Sequence, residues 1–242
     1  MSQAGYVFLY GMVTAVATVL GVLPFAFVKQ ISPRVVSASN AVASGLMLGA
    51  CFGLVAEGTE LGGWQTGAGG LLGVVFIMIT QRLLARGDAS FGEVRGAGAR
   101  KMILIVVVMT VHSIAEGVAI GASFAGGMTL ATVITVAIAV HNVPEGLAIA
   151  AVLRPQGASL RSCAWWSFFS SLPQPFVAVP AFYLVEAFAP TLPYGIGFAA
   201  GAMVFMVLVE LLPEAYEDGR RGTVGLLVSL SLIAMVTFQR ML

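Results

Sequence analysis

Eight runs of apolar residues divide this chain, each near the length of about 20 residues that crosses roughly 30 Å of hydrocarbon. They lie near Tyr6 to Val28, Asn40 to Val55, Gly67 to Leu84, Met102 to Phe124, Thr129 to Val152, Ala164 to Phe188, Tyr194 to Leu212 and Gly222 to Met241. A chain so built has one solvent in which to fold. With 59% hydrophobic and 10% charged residues, it lies far from the roughly 25% charged content of a soluble domain. The reading is therefore an all-α, polytopic membrane protein of eight transmembrane helices, forming a single domain over residues 1–242. The N-terminal MSQAGYVFLYGMV has no basic leader and no small-residue cleavage site, so its apolar run is read as a retained helix. Glycine, at 29 residues, recurs in patterns such as AGGLLG and GFAAGAM, which offer small faces for close helix packing.

The positions of the charges test this count. Lys29 and Arg34 follow the first run; Arg82, Arg86, Arg95, Arg100 and Lys101 follow the third. Arg154 and Arg161 follow the fifth, and Arg220 and Arg221 the seventh, leaving Arg240 as the exception among 12 basic residues. Lys and Arg collect in cytoplasmic loops, so both termini are expected outside. Residues 82–101 become the main cytoplasmic loop, a Gly- and Arg-rich linker expected to be flexible. No basic stripe points to nucleic acid. Cys51 and Cys163 form neither a disulfide framework nor a paired thiol motif.

Against this apolar background the fourth and fifth runs stand out. They contain HSIAEGVAIGASF and HNVPEGLAIAAVL, which share His-x-x-x-Glu-Gly, and His112 and His141 are the two histidines of the chain. Residues i and i+4 share a helix face. His112 therefore points with Glu116, and His141 with Glu145. At 1.5 Å per residue the histidines sit roughly 15 to 18 Å into their helices, near the bilayer midplane. Two imidazoles and two carboxylates suit a borderline divalent metal. A dication also offsets two carboxylates that no Lys or Arg of the same helix cores accompanies. Pro144 removes an N–H, frees the Val140 carbonyl and is expected to kink its helix. A single buried His or Glu is often no more than a helix-to-helix hydrogen bond; two His-Glu pairs at one spacing exceed that reading.

The HNVPEGLAIA string resembles the signature of the ZIP (Zrt- and Irt-like) family of divalent-metal transporters, and the compact loops resemble its bacterial, GufA-like branch. The resemblance implies a 3+2+3 inverted-repeat bundle, metal bound between the fourth and fifth helices, a homodimer, a bacterial inner-membrane location and movement of metal into the cytoplasm. Zinc, or iron, manganese, cobalt or cadmium, would be transported substrate, with no cofactor. His112, Glu116, His141 and Glu145 match the family's primary site. SGLMLGACFG makes Met47 a candidate thioether ligand, with packing as its other role. GAMVFMVLVELLPEAYEDG places Glu210 and Glu214 toward a cytoplasmic exit. Two departures bear on a second metal position. Ser113 and Ala115 stand where the fourth helix often carries Asn and Pro, and Gln174 stands where many members carry a sixth-helix Glu. Asn142, Gln174 and Ser113 remain there with little charge, so one high-affinity site is expected. A metal-dependent intramembrane enzyme and a cation or proton channel are the alternatives; the metalloprotease His-Glu-x-x-His pattern is absent.

Overall fold

The computed structural model describes residues 2–27, 32–86, 90–92, 94–124, 127–184 and 189–241. Helix α1 (Gln3–Leu20) starts at Ser2, whose hydroxyl accepts from the Gly5 N–H at 3.2 Å, and leads into a short 3-10 turn, Leu23–Ala26. Helix α2 (Pro33–Arg86) is 54 residues long and breaks at Gly62, where the backbone is extended (φ 176°, ψ 97°). A Cβ on Gly58 would run into the Thr66 side chain. Eight residues of straight helix would set those positions about 12 Å apart, so the chain reverses at the break. Two strands, β1 (Ser90–Phe91) and β2 (Val94–Arg95), pair antiparallel before α3 (Ala97–Ser123) and α4 (Met128–Leu153). Then follow α5 (Leu160–Ser171), capped by the Ser159 hydroxyl, and α6 (Pro173–Tyr183). Helix α7 (Leu192–Met206) continues through a π-helical turn (Val207–Leu211) into α8 (Leu212–Asp218), and α9 (Arg221–Met241) closes the fold.

Glycine sets the distances between helices. Side chains added at Gly45, Gly49 and Gly53 would meet α9 at Ser231, Met235 and Gln239, so residues 33–61 lie against α9. Residues 63–86 lie against α7, with Gly69 and Gly73 meeting Tyr194 and Phe198 and Gly201 meeting Gly70 in return. Gly117 and Gly121 admit α6 to α3, and Gly21 and Gly146 bring α1 onto α4. These are the small faces that let helix backbones approach closely in lipid.

The exterior is inverted relative to a water-soluble protein. Leu71, Leu226, Leu230 and Ile233 are each more than half exposed, whereas Thr14, Ser113, Asn142, Glu145 and Gln174 are fully buried. Among the described residues, six helical stretches are long and apolar enough to cross a membrane, including Pro33–Leu83 at 51 residues. The sixth expected run differs from a single helix because Pro173 begins a new one. Leu172 donates to Phe169 at 3.2 Å instead of continuing the ladder, so α5 and α6 are each shorter than a span.

The connection expected over residues 82–101 is shorter than read, since α2 runs to Arg86 and α3 begins at Ala97. Phe91 of the small hairpin packs on Trp166, ring centroids 4.6 Å apart, which ties the hairpin to α5. Hydrophobic patterning alone could not reveal a two-residue strand anchored by one aromatic pair. The expected limits Val28 and Phe188 and the loop residue Lys29 lie outside the described residues.

Candidate metal centre

Helices α3 and α4 run in opposite directions, and each contributes one His and one Glu a turn apart. Antiparallel packing sets the His of one helix level with the Glu of the other. His112 Nε2 lies 3.0 Å from Glu145 Oε1, closer than the 3.5 Å to Glu116 Oε1 on its own helix. His141 Nε2 is 3.3 Å from the same Glu145 oxygen and 3.3 Å from His112 Nε2, with the two rings stacked. One ligand atom from each of His112, Glu116, His141 and Glu145 falls within 4.8 Å of every other, and all four residues are buried.

The shorter of these separations, 3.0 to 3.5 Å, are close to those of ligands around an ion. Bonds of about 2.0 to 2.2 Å in a tetrahedron set neighbouring ligands about 3.3 to 3.6 Å apart. The contacts are also poorly directed as hydrogen bonds: among the described residues neither Glu145 oxygen has a hydrogen-bond partner, and His112 Nδ1 has none. Buried carboxylates are ordinarily well satisfied. Two imidazoles and two carboxylates buried together at this range fit the donor set of a divalent metal.

The other residues singled out in the sequence divide into two groups. Gln174 and Asn142 join the site: Gln174 Nε2 donates to Glu116 Oε2, and Asn142 Nδ2 donates to Gln174 Oε1 at 3.1 Å. Ser113 is fully buried beside His112 in sequence, but its hydroxyl has no partner among the described residues. Met47 is fully buried in the apolar core that also contains Met109 and Met206. Glu210 and Glu214 lie apart, in the π-helical turn and α8. Glu210 Oε1 accepts from Gln81 Nε2 at 2.9 Å, and Glu214 pairs with Lys101 at 3.6 Å.

Two features escaped the sequence reading. Thr14 on α1 donates to Gln174 Oε1 at 2.7 Å, and its carbonyl accepts from Asn142 at 2.8 Å. The signal was present as Thr14 and Thr18, one turn apart in an apolar run and both fully buried. The second is a cavity of about 290 Å³ that reaches His112, Glu116 and His141. Its other walls include Glu57, Glu60, Ala137, Ile138, Gln239 and Arg240. These stand toward the Gly62 break, the start of α4 and the end of α9, which together form the end of the bundle opposite Lys101 and Glu214.

Residues 88–237, more than half of the chain, match the family model described as ZIP zinc transporter. The chain is 42% identical to the Arabidopsis thaliana protein At3g08650 over 231 residues, 94% of this chain but 37% of that protein. It is 34% identical to the zinc transporter ZIPB of Bordetella bronchiseptica over 249 residues, 96% of this chain and 80% of that one. It is 30% identical to the zinc transporter GufA of Myxococcus xanthus over 233 residues, 89% and 91% of the two chains.

Proposed function

Since the chain belongs to the ZIP zinc transporter family, we propose that it carries a divalent transition metal, zinc foremost, across the membrane into the cytoplasm. His112, Glu116, His141 and Glu145 hold the ion in transit. The observation that carries this reading is the convergence of their four ligand atoms, all on buried residues, within 4.8 Å of one another. Membership in a transporter family sets the enzyme alternative aside. A buried multidentate site favours a saturable carrier over a channel, which needs sites weak enough to leave quickly.

The break in α2 at Gly62 and the tandem order of α5 and α6 support a reading in which each leg of α2 is one span and α5 with α6 another, for eight spans in the 3+2+3 inverted-repeat order that the family resemblance implies. Both termini then lie outside, and the cavity past Glu57 and Glu60 opens outward. The metal enters there, replaces its water with the four ligands, and leaves past Glu210 and Glu214 when one group of helices moves against the other. The neutral amides of Asn142 and Gln174 and the hydroxyl of Ser113 add no negative charge, so a single high-affinity ion is expected. Met47 is a candidate further ligand, and Met47→Leu separates that role from packing. A homodimer in the inner membrane is the assembly the family suggests.

Zinc uptake into proteoliposomes tests the reading. Wild-type protein gives saturable uptake, and Glu145→Ala and His141→Ala abolish it; variants that accumulate zinc like wild type refute the assignment.

A further inference from the structure

The two oxygens of Glu116 have different surroundings. Oε1 faces His112 Nε2, whereas Oε2 accepts a hydrogen bond from Gln174 Nε2. The orientation of that amide is dictated from its far side. The Thr14 carbonyl is an obligate acceptor, so it draws the NH2 group of Asn142 toward it at 2.8 Å. The second proton of that NH2 meets Gln174 at 3.1 Å, and must meet its oxygen. The Thr14 hydroxyl, which also lies 2.8 Å from the Gly11 carbonyl, approaches the same oxygen at 2.7 Å. With Oε1 of Gln174 engaged by α1 and α4, its Nε2 is left to face Glu116 on α3. Thr14, Asn142 and Gln174 are all fully buried, so water does not compete for these bonds.

A carboxylate with one oxygen held by an N–H donor offers the other to a metal. We propose that Gln174, fixed by Thr14 and Asn142, restricts Glu116 to one-oxygen ligation and thereby makes the site selective for ions that accept a low coordination number. Zinc is content with four ligands, whereas manganese favours an octahedral shell of oxygens. Bidentate ligation by Glu116 would supply part of that shell. Gln174 is thus a positioning residue that acts through Glu116, and this inference rests on the four-residue site proposed above.

The test uses purified full-length protein with Co2+ as a spectroscopic probe, together with Zn2+ and Mn2+ uptake into proteoliposomes. Gln174→Met keeps the side-chain volume and removes the donor; Gln174→Leu removes the same donor with a branched side chain and serves if the first variant does not fold. Outer-shell changes of this kind cost roughly 10- to 100-fold in metal affinity. Both variants are expected to lower the zinc-to-manganese uptake ratio by roughly tenfold and to weaken the intense visible band of low-coordinate Co2+. A folded variant that retains both the wild-type ratio and the wild-type Co2+ band overturns the proposal while leaving the site intact. If His112→Ala also leaves Co2+ binding unchanged, the four-residue site itself is wrong, and the two failures are distinguished.

Discussion

His112 Nε2 stands 3.0 Å from Glu145 Oε1, across the interface of two antiparallel helices and 33 positions away in sequence, yet nearer than its own-helix partner Glu116 at 3.5 Å. The centre is therefore a property of the helix pair and not of either motif. Ligands that share one ion act as a unit and are not additive when removed. His112→Ala and Glu145→Ala should each weaken zinc binding by roughly two orders of magnitude or more, and the double variant should cost far less than their sum. Competition against a fluorescent chelator in detergent measures all three; additive losses would mean separate sites.

Close approach of α1 and α4 should be sensitive to single atoms. A Cβ at Gly146 meets the Thr18 carbonyl, whereas Gly67 has open space around it. Gly146→Ala is expected to destabilise the protein by about 1 to 3 kcal/mol through overpacking, and Gly67→Ala to change stability little. Thermal unfolding in detergent reads the difference. Equal effects at both positions would contradict the packing described.

The cavity predicts a pattern of chemical access. Cys51 and Cys163 are buried, whereas Ala137 lines the cavity. Ala137→Cys should react with a membrane-impermeant thiol reagent added outside, and zinc should protect it. Leu104→Cys, near Lys101 at the other end of α3, should not react from that side. Reaction of the Leu104 variant from outside would reverse the orientation.

At the opposite end, Glu210 and Glu214 are held by Gln81 and Lys101. Glu210→Gln and Glu214→Gln should leave zinc affinity at the centre unchanged and slow uptake. Stopped-flow uptake paired with equilibrium binding separates the two quantities. A loss of affinity would place these carboxylates in the binding site.

Much of this was legible in the sequence. The i, i+4 spacing of His112 with Glu116 and His141 with Glu145 fixed the shared faces, because helical periodicity is local. The repeat of that spacing led to the second helix. What the spacing left open was the register between α3 and α4, which is set by packing between the helices and not by local periodicity. The role of Thr14 was only partly marked: Thr14 and Thr18 stand one turn apart in an apolar run, but that spacing does not identify a partner 160 positions away. Apolar length likewise could not divide α5 from α6, since Pro173 interrupts the backbone ladder and leaves hydropathy unchanged. The reversal at Gly62 was implied by run lengths, but a glycine-rich stretch of LGGWQTGAGG offers several positions for it.

X-ray absorption at the zinc edge of the purified, zinc-loaded protein tests the central claim most directly. Zinc bound by His112, Glu116, His141 and Glu145 should show nitrogen and oxygen neighbours at about 2.0 to 2.2 Å, with the imidazole multiple scattering of two histidines, halved in intensity or lost with the zinc in His141→Ala. Zinc retained by that variant at full stoichiometry, with an unchanged first shell, would contradict the account.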